Sequence, residues 1–125
     1  MPFSLTEETA RAFADEWISS WNRKDAEAVL SHFSDDTVFI SPRAVAIMQS
    51  SRLEGKAQLR KYWTRAMAQI QYIHFSLDYV ITEFNRVAII YTAEIDGKRM
   101  RAVEFLVFND DGKICLGEAM HGVTL

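Results

Sequence analysis

The stretch that decides the fold is VAIIYTAEIDGKRMRAVEFLVF, residues 87–108. Apolar and β-branched residues run through both halves, and Asp96-Gly97 between them is a strong signal for a two-residue type I′ hairpin turn. Such a turn places Ile89 opposite Glu104 on the neighbouring strand. The facing of two long strands therefore follows from a single turn, and Glu104 shares a face with Ile89.

Two further strands are predicted beside this hairpin. Residues 72–81 precede it and residues 113–123 follow it, with turn signals in between, which makes an antiparallel meander of four strands. The facing of the first strand stays open, because a loop of three residues at 84–86 would turn its side chains over. His74, Asp78 and Tyr79 are therefore not assigned to a face.

The last strand decides which titratable groups share a face with Glu104. A four-residue loop at 109–112 pairs Glu104 with Gly117, and places His121 and Cys115 on the same face. His121 would then lie four residues along the strand from Gly117, or roughly 13 Å at ~3.3 Å per residue. That separation is too long for Glu104 and His121 to share a proton directly. Glu118 is predicted to point to the opposite side.

Three helices are predicted before the meander. Thr6 caps the first, which runs to about Trp21 with an apolar stripe, and Asp25 caps a short second helix. The third helix runs from Lys56 to about Ile70, after Gly55. The protein is thus predicted to be α+β, with a curved antiparallel sheet covered by three N-terminal helices that enclose a pocket.

The segment between the second and third helices is less regular. Residues 34–36 are predicted to end the second helix, and residues 37–41 form an edge or terminal strand that stops at Pro42. Residues 43–54 show no clean period. They are predicted to be a loop or short irregular element that could cap the mouth of a cavity.

Both faces of the predicted sheet are apolar. The face opposite Glu104 is too apolar to be left in water, and three helices can cover only one face. We therefore expect a homodimer through this convex face. Its predicted residues are Ala88, Ile90, Val103, Phe105, Val107, Leu116 and Met120.

Composition limits the classes of function. A chain of 125 residues predicts one domain, 1–125, and a net charge of -3 with a pI near 5.6 argues against a nucleic-acid partner. The single cysteine and the absence of a signal-peptide pattern predict a cytoplasmic protein, and no apolar run reaches the ~20 residues that span a membrane. His32, His74 and His121 lack the spacing of metal ligands, and no glycine-rich phosphate loop is present, so no metal and no cofactor are expected.

Three motifs resemble one superfamily. HFSDDTVFISP at 32–42, GKAQLRKYW at 55–63 and FNDDGKI at 108–114 make the chain similar to nuclear-transport-factor-two-like proteins, and within them to the SnoaL-like and ketosteroid-isomerase-like branch. The resemblance implies a cone-shaped fold with a deep apolar pocket, and frequently a dimer through the convex face. It does not imply one function, because this fold supports many chemistries as well as non-catalytic binders.

The resemblance transfers unevenly to individual residues. Where isomerases of this branch keep a carboxylate base, this chain has Ser41, and their first hydroxyl donor corresponds to Trp17. Their second donor, a carboxyl group, has a counterpart in Glu104. SnoaL-like cyclases use a carboxylate late in the last strand, where His121 is the titratable side chain expected in the pocket.

These observations predict a pocket for a small apolar organic molecule, with proton transfer of the isomerase, cyclase or dehydratase type and no cofactor. The alternatives are a non-catalytic binding module and an association domain whose cone is filled by its own side chains. An open cavity with an unpaired Glu104 would favour catalysis, and an ion-paired Glu104 would favour binding alone. The predicted catalytic residues are Glu104 and His121, and the predicted ligand-binding residues are Trp17, Phe39, Tyr62, Trp63 and Tyr91.

Overall fold

The computed structural model describes residues 2–125 and contains helices and strands in one continuous order. The helices and strands are α1 (Glu7–Asn22), α2 (Ala26–Leu30), β1 (Phe33–Ile40), α3 (Ala44–Met48), β2 (Arg52–Glu54), α4 (Lys56–Gln69), β3 (Ile73–Glu83), β4 (Arg86–Ile95), β5 (Lys98–Phe108) and β6 (Ile114–Thr124). The α+β class is confirmed: a curved, unclosed sheet is covered by N-terminal helices. Among the described residues, no helix is long and apolar enough to cross a membrane.

The six strands form one sheet in the order β2-β1-β6-β5-β4-β3. The antiparallel meander from β3 to β6 is confirmed. The prediction that residues 37–41 form an edge strand is wrong, because β1 lies between β2 and β6 and runs parallel to β6. This strand also begins earlier than predicted, at Phe33. Residues 34–36 belong to it, and the Ser34 hydroxyl donates a hydrogen bond to the Ile114 carbonyl oxygen at 3.2 Å.

The segment 43–54 is more regular than its sequence indicates. It contains the short helix α3 and the strand β2, which pairs with β1 and places Leu53 opposite Phe39. A short apolar helix has too few residues to show a period, and a three-residue strand has too few to show alternation. The described residues therefore contain four helices rather than the three that were predicted.

The central hairpin has the predicted register. Asp96 and Gly97 both adopt positive φ angles, 47° and 85°, as a type I′ turn requires. Ile89 lies opposite Glu104, and Ile95 lies opposite Lys98.

The register of the last hairpin differs from the prediction by two residues. The loop has five residues, 109–113, rather than four, which places Phe108 opposite Ile114, and a bulge at Cys115 shifts the pairing by one more residue, so that Glu104 lies opposite Ala119 rather than Gly117. The loop before the bulge is closed by the Asn109 side chain, whose Oδ1 accepts hydrogen bonds from two backbone N–H groups, each at 3.0 Å. Because the bulge adds one residue to β6, Cys115 leaves the interior and Ile114 is buried in its place.

The facing of β3 follows from its pairing with β4. Tyr79 lies opposite Ile90 on the outer face, and His74 is exposed on the same side. Asp78 occupies a bulge in β3, where its carboxylate binds the guanidinium of Arg101 at 3.1 Å and accepts a hydrogen bond from the Thr92 hydroxyl at 2.9 Å. None of these three β3 side chains reaches the interior.

The helices cover the inner face of the sheet. The Thr6 side chain caps α1 through reciprocal hydrogen bonds with Thr9. At the other end of α1, the Asn22 amide bonds both backbone groups of Phe75, at 3.0 and 2.6 Å. This pair holds the end of α1 on β3 and so positions Trp21, the preceding residue, over the sheet.

Gly117 allows β6 to approach a buried aromatic ring. A Cβ at this position would lie 2.6 Å from Cδ2 of Phe39 and 3.1 Å from a methyl group of Leu106. We expect Gly117→Ala to lower the free energy of unfolding by about 1–3 kcal/mol, because a fully buried ring has to move.

The measurement for this prediction is urea unfolding, with Gly97→Ala as the matched control. A Cβ at Gly97 meets no atom within 4 Å, and only its positive φ opposes alanine, at a cost of about 1 kcal/mol. A Gly117→Ala protein as stable as the wild-type protein would contradict the prediction.

Candidate functional site

A cavity of about 300 Å³ opens between the inner face of the sheet and the helices α3 and α4. Six of the seven predicted site residues line it: Phe39, Tyr62, Trp63, Tyr91, Glu104 and His121. A volume of this size is suited to a small organic molecule of one to three rings. The structure therefore contains an open cavity at the place where the sequence predicts the pocket.

Aromatic rings form one wall of the cavity. The ring of Trp63 lies 5.3 Å, centroid to centroid, from each of Trp21, Phe33 and Phe39, in edge-to-face geometry. Tyr91 packs against Phe75 at 4.8 Å. Such a wall is rigid and apolar, and suits flat or polycyclic ligands.

Trp17, a predicted ligand-binding residue, does not line the cavity. It is buried behind the wall, with its ring centroid 5.3 Å from that of Tyr91 and stacked on Phe75 at 6.0 Å. Trp17 and Trp21 lie on the same apolar stripe of α1, so the sequence pattern could not show which of them lines the cavity and which lies behind its wall. Trp17 supports the site residues from behind.

Glu104 projects from the middle of β5 into the cavity. It is 5% exposed, and Ile89 and Ala119 lie opposite it on the two neighbouring strands. Burial raises the pKa of its carboxyl from 4.5 to about 8. Within residues 2–125, Oε2 has no hydrogen-bond partner and the side chain forms no ion pair. At neutral pH the group is a carboxylic acid with a proton to donate.

His121 lies closer to Glu104 than the sequence predicts. It is opposite Ala102, two residues from the partner of Glu104, so the two side chains are diagonal neighbours across β5 and β6. Such positions are about 7–8 Å apart rather than 13 Å. Burial, and then the charge of Arg43, lower the pKa of His121 from 6.5 to about 4, and Nδ1 has no hydrogen-bond partner within residues 2–125. The imidazole is therefore neutral at physiological pH.

A pair of hydroxyl groups completes the polar part of the lining. Oγ of Ser41 and Oη of Tyr62 lie 3.0 Å apart, and either can be the donor. Burial raises the pKa of Tyr62, and it raises that of Tyr91 well above the usual range, with a further contribution from Glu104. Both phenols stay protonated, and Ser41 offers only a hydroxyl where related isomerases are expected to hold a base.

The lining residues that the sequence analysis did not predict as ligand contacts include Trp21, Arg43 and Asp96. Trp21 could have been found, because it continues the predicted apolar stripe of α1. Arg43 was not singled out, although the segment 43–54 that contains it was predicted to cap the mouth of a cavity. Asp96 was assigned only to a turn, and its carboxylate accepts the backbone N–H groups of Gln71 and Tyr72.

The described residues hold no cluster of three His, Cys, Asp or Glu side chains that could bind a metal ion. The polar groups at the cavity are instead a carboxylic acid, a neutral imidazole, hydroxyl groups and a guanidinium. These groups suit the binding of an organic molecule through hydrogen bonds, and proton transfer to or from it.

Comparison with known proteins places this geometry in a family. The model of the SnoaL-like domain matches residues 14–116. A SnoaL-like protein of unknown function from Burkholderia thailandensis is 33% identical, with a TM-score of 0.85 over 96% of this chain and 99% of that one. No curated protein gave a significant match.

More distant solved structures share the fold. An NTF2-like protein of unknown function from Burkholderia xenovorans is 17% identical, with a TM-score of 0.76 over 93% of this chain and 84% of that one. A protein described as a putative ketosteroid isomerase, from Kribbella flavida, is 16% identical, with a TM-score of 0.71 over 95% of this chain and 82% of that one. At these identities the likeness concerns the fold alone.

Proposed function

This chain belongs to the SnoaL-like family, and from that premise we propose that it binds a small, largely apolar organic molecule in the cavity and transfers a proton on it. The observation that carries this proposal is the unpaired, buried Glu104 at an open cavity. A buried carboxyl group without a partner lowers stability, and such groups are concentrated at functional sites. An ion-paired Glu104 would instead have favoured binding alone.

The chemistry follows from the protonation states of the two titratable groups. Protonated Glu104 can donate a hydrogen bond to a carbonyl oxygen of the ligand, which stabilises the charge that develops there when a neighbouring C–H bond breaks. Neutral His121 has a nitrogen lone pair that can accept the proton leaving that carbon. Return of the proton to another carbon would complete an isomerisation without a cofactor.

Native mass spectrometry of the purified protein, mixed with a library of small hydrophobic metabolites, tests the binding half of the proposal. Uptake of one or more molecules by the folded protein is the expected result. A protein that stays empty throughout the library would favour the alternative of a pure association domain.

Deuterium exchange tests the catalytic half. We expect the protein to accelerate deuterium incorporation next to the carbonyl of 2-tetralone, an enolisable bicyclic ketone of suitable size, and Glu104→Gln to lower that rate about 100-fold, since the glutamine cannot donate the acidic proton. Proton NMR in deuterated water follows the exchange.

The matched control is Glu94→Gln, which makes the same chemical change on the outer face of the sheet and should leave the exchange rate unchanged. An undiminished rate in Glu104→Gln would refute the catalytic role of Glu104. Binding without any acceleration by the wild-type protein would support the non-catalytic binding module.

We also propose that the protein is a homodimer through the outer apolar patch, defined as Val38, Ile40, Tyr79, Ile81, Ala88, Ile90, Val103, Phe105, Val107, Leu116 and Met120. Four of these side chains are more than a third exposed, from 37% for Leu116 to 60% for Ile81. Contiguous apolar surface of this kind usually marks an interface. Glu118 lies within the patch, between Ile40 and Phe105, so a partner has to leave its carboxylate hydrated or paired.

A further inference from the structure

One charged side chain at the cavity has no counter-ion. Arg43 lines the cavity and is exposed to solvent, which places it at the mouth, and no carboxylate within residues 2–125 forms an ion pair with it. Its hydrogen bond goes to the sulfur of Met100, 2.9 Å from Nη2. A thioether is a weak acceptor, so the guanidinium keeps most of its capacity to bind a stronger one.

No other lining group among the described residues forms an ion pair with Arg43. The one other formal charge is that of Asp96, whose carboxylate is engaged by the backbone N–H groups of Gln71 and Tyr72 at 3.0 and 2.8 Å. Glu104 carries no charge at neutral pH, because its pKa is raised to about 8. The guanidinium of Arg43 is therefore free to bind an anionic group of a ligand, although the lining as a whole carries one positive and one negative formal charge.

The lining is also rich in hydrogen-bond donors. Trp21 lines the cavity, and its buried indole N–H has no acceptor within residues 2–125. Protonated Glu104 adds a second donor, and the guanidinium of Arg43 adds several. A ligand that satisfies them has to present oxygen acceptors, and an anionic oxygen is the acceptor that a guanidinium binds most strongly.

We propose that the ligand is a small aromatic or alicyclic carboxylate, whose acidic group is bound by Arg43 while its ring system occupies the aromatic cavity beside Glu104. This inference rests on the proposed ligand-binding function and names its substrate class. Arg43 is the residue that determines specificity for the acid. A guanidinium at the mouth, rather than in the depth of the cone, keeps the carboxylate close to water and lowers the cost of desolvating it.

Isothermal titration calorimetry at neutral pH with two isosteric probes, 2-naphthoate and 2-naphthamide, tests the inference. The wild-type protein should bind the naphthoate at least about 10-fold more tightly, because a charge-assisted hydrogen bond contributes about 1.5–3 kcal/mol. Arg43→Gln should remove this preference and change the binding of the naphthamide less than about twofold. Arg43→Lys should keep part of the preference.

Arg65→Gln is the matched control. Arg65 also donates a hydrogen bond to a methionine sulfur, from Nη1 to the sulfur of Met48 at 3.7 Å, but it does not line the cavity. This variant should therefore bind both probes like the wild-type protein. Equal binding of the two probes, unaffected by Arg43→Gln, would overturn the acidic ligand and leave the ligand-binding function standing. If neither probe binds the wild-type protein, the acidic ligand is overturned, and uptake from the metabolite library decides the ligand-binding function separately.

Discussion

Glu104→Gln should make the protein more stable above pH 8, by as much as about 5 kcal/mol, and leave its stability in acid almost unchanged. The reason is that folding holds the pKa of this carboxyl at about 8 against 4.5 for an unperturbed glutamate. Below pH 4.5 the group is protonated in both the folded and the unfolded state, and no penalty exists. As the pH rises from 4.5 to about 8, only the unfolded state releases its proton, so the free energy of unfolding falls.

His121 changes the free energy of unfolding in the opposite direction over part of this pH range. Its pKa is lowered by folding from 6.5 to about 4, so the unfolded state binds a proton first as the pH falls, and stability is lost below pH 6.5. The two effects oppose one another between pH 4.5 and 6.5. Between pH 6.5 and 8 the decline caused by Glu104 remains alone, and it should amount to about 2 kcal/mol in the wild-type protein.

Urea unfolding at fixed protein concentration, between pH 6.5 and 8, measures this decline. We expect the Glu104→Gln protein to lack it and the Glu94→Gln protein to keep it, since Glu94 lies on the outer face of the same sheet. An equal decline in all three proteins would mean that burial of Glu104 is not its cause. The same comparison measures how much the unpaired carboxyl of Glu104 lowers the free energy of unfolding. A large cost would mean that a glutamate at this position is explained by function and not by stability.

The sequence predicts most of this fold because its strongest signals are local. One dipeptide, Asp96-Gly97, sets the register of β4 against β5, and the facing of Glu104 follows from it without knowledge of any distant contact. The apolar stripe of α1 and its cap at Thr6 are equally local. What the sequence could not predict depends on pairings between distant segments, such as the parallel contact of β1 with β6.

Six of the predicted site residues line the cavity, but the distance between the two titratable ones differs from the distance that the sequence predicts. A loop one residue longer than predicted and the bulge at Cys115 together change the separation of Glu104 and His121 from about 13 Å to about 7–8 Å, because each residue of slip moves the pairing by ~3.3 Å. Bulges depend on how a loop closes, here on the hydrogen bonds of Asn109, and a count of loop residues does not reveal them. Arg43 was missed for a related reason, since only the packing of α3 brings it to the mouth.

Phe105→Glu should convert the proposed dimer into monomers. Phe105 lies near the centre of the outer apolar patch, so the exchange removes two buried rings from a two-fold interface and places two carboxylates there instead. Burial of a phenylalanine contributes about 1.5–3 kcal/mol, and desolvation of each carboxylate costs several kcal/mol more. Together these terms should weaken the dimer by at least about three orders of magnitude in its dissociation constant.

Sedimentation velocity distinguishes this result from simple loss of structure when two other variants accompany it. Phe105 lies opposite Glu118, so a glutamate there also opposes a like charge within its own sheet, and Phe105→Lys avoids that repulsion while still charging the interface. Phe84→Glu makes the original exchange at the 73% exposed tip of the hairpin between β3 and β4, outside the patch, and should remain dimeric. Folded Phe105→Glu and Phe105→Lys proteins that still sediment as dimers would show that the two-fold contact lies elsewhere, and the outer apolar patch would then require a different partner.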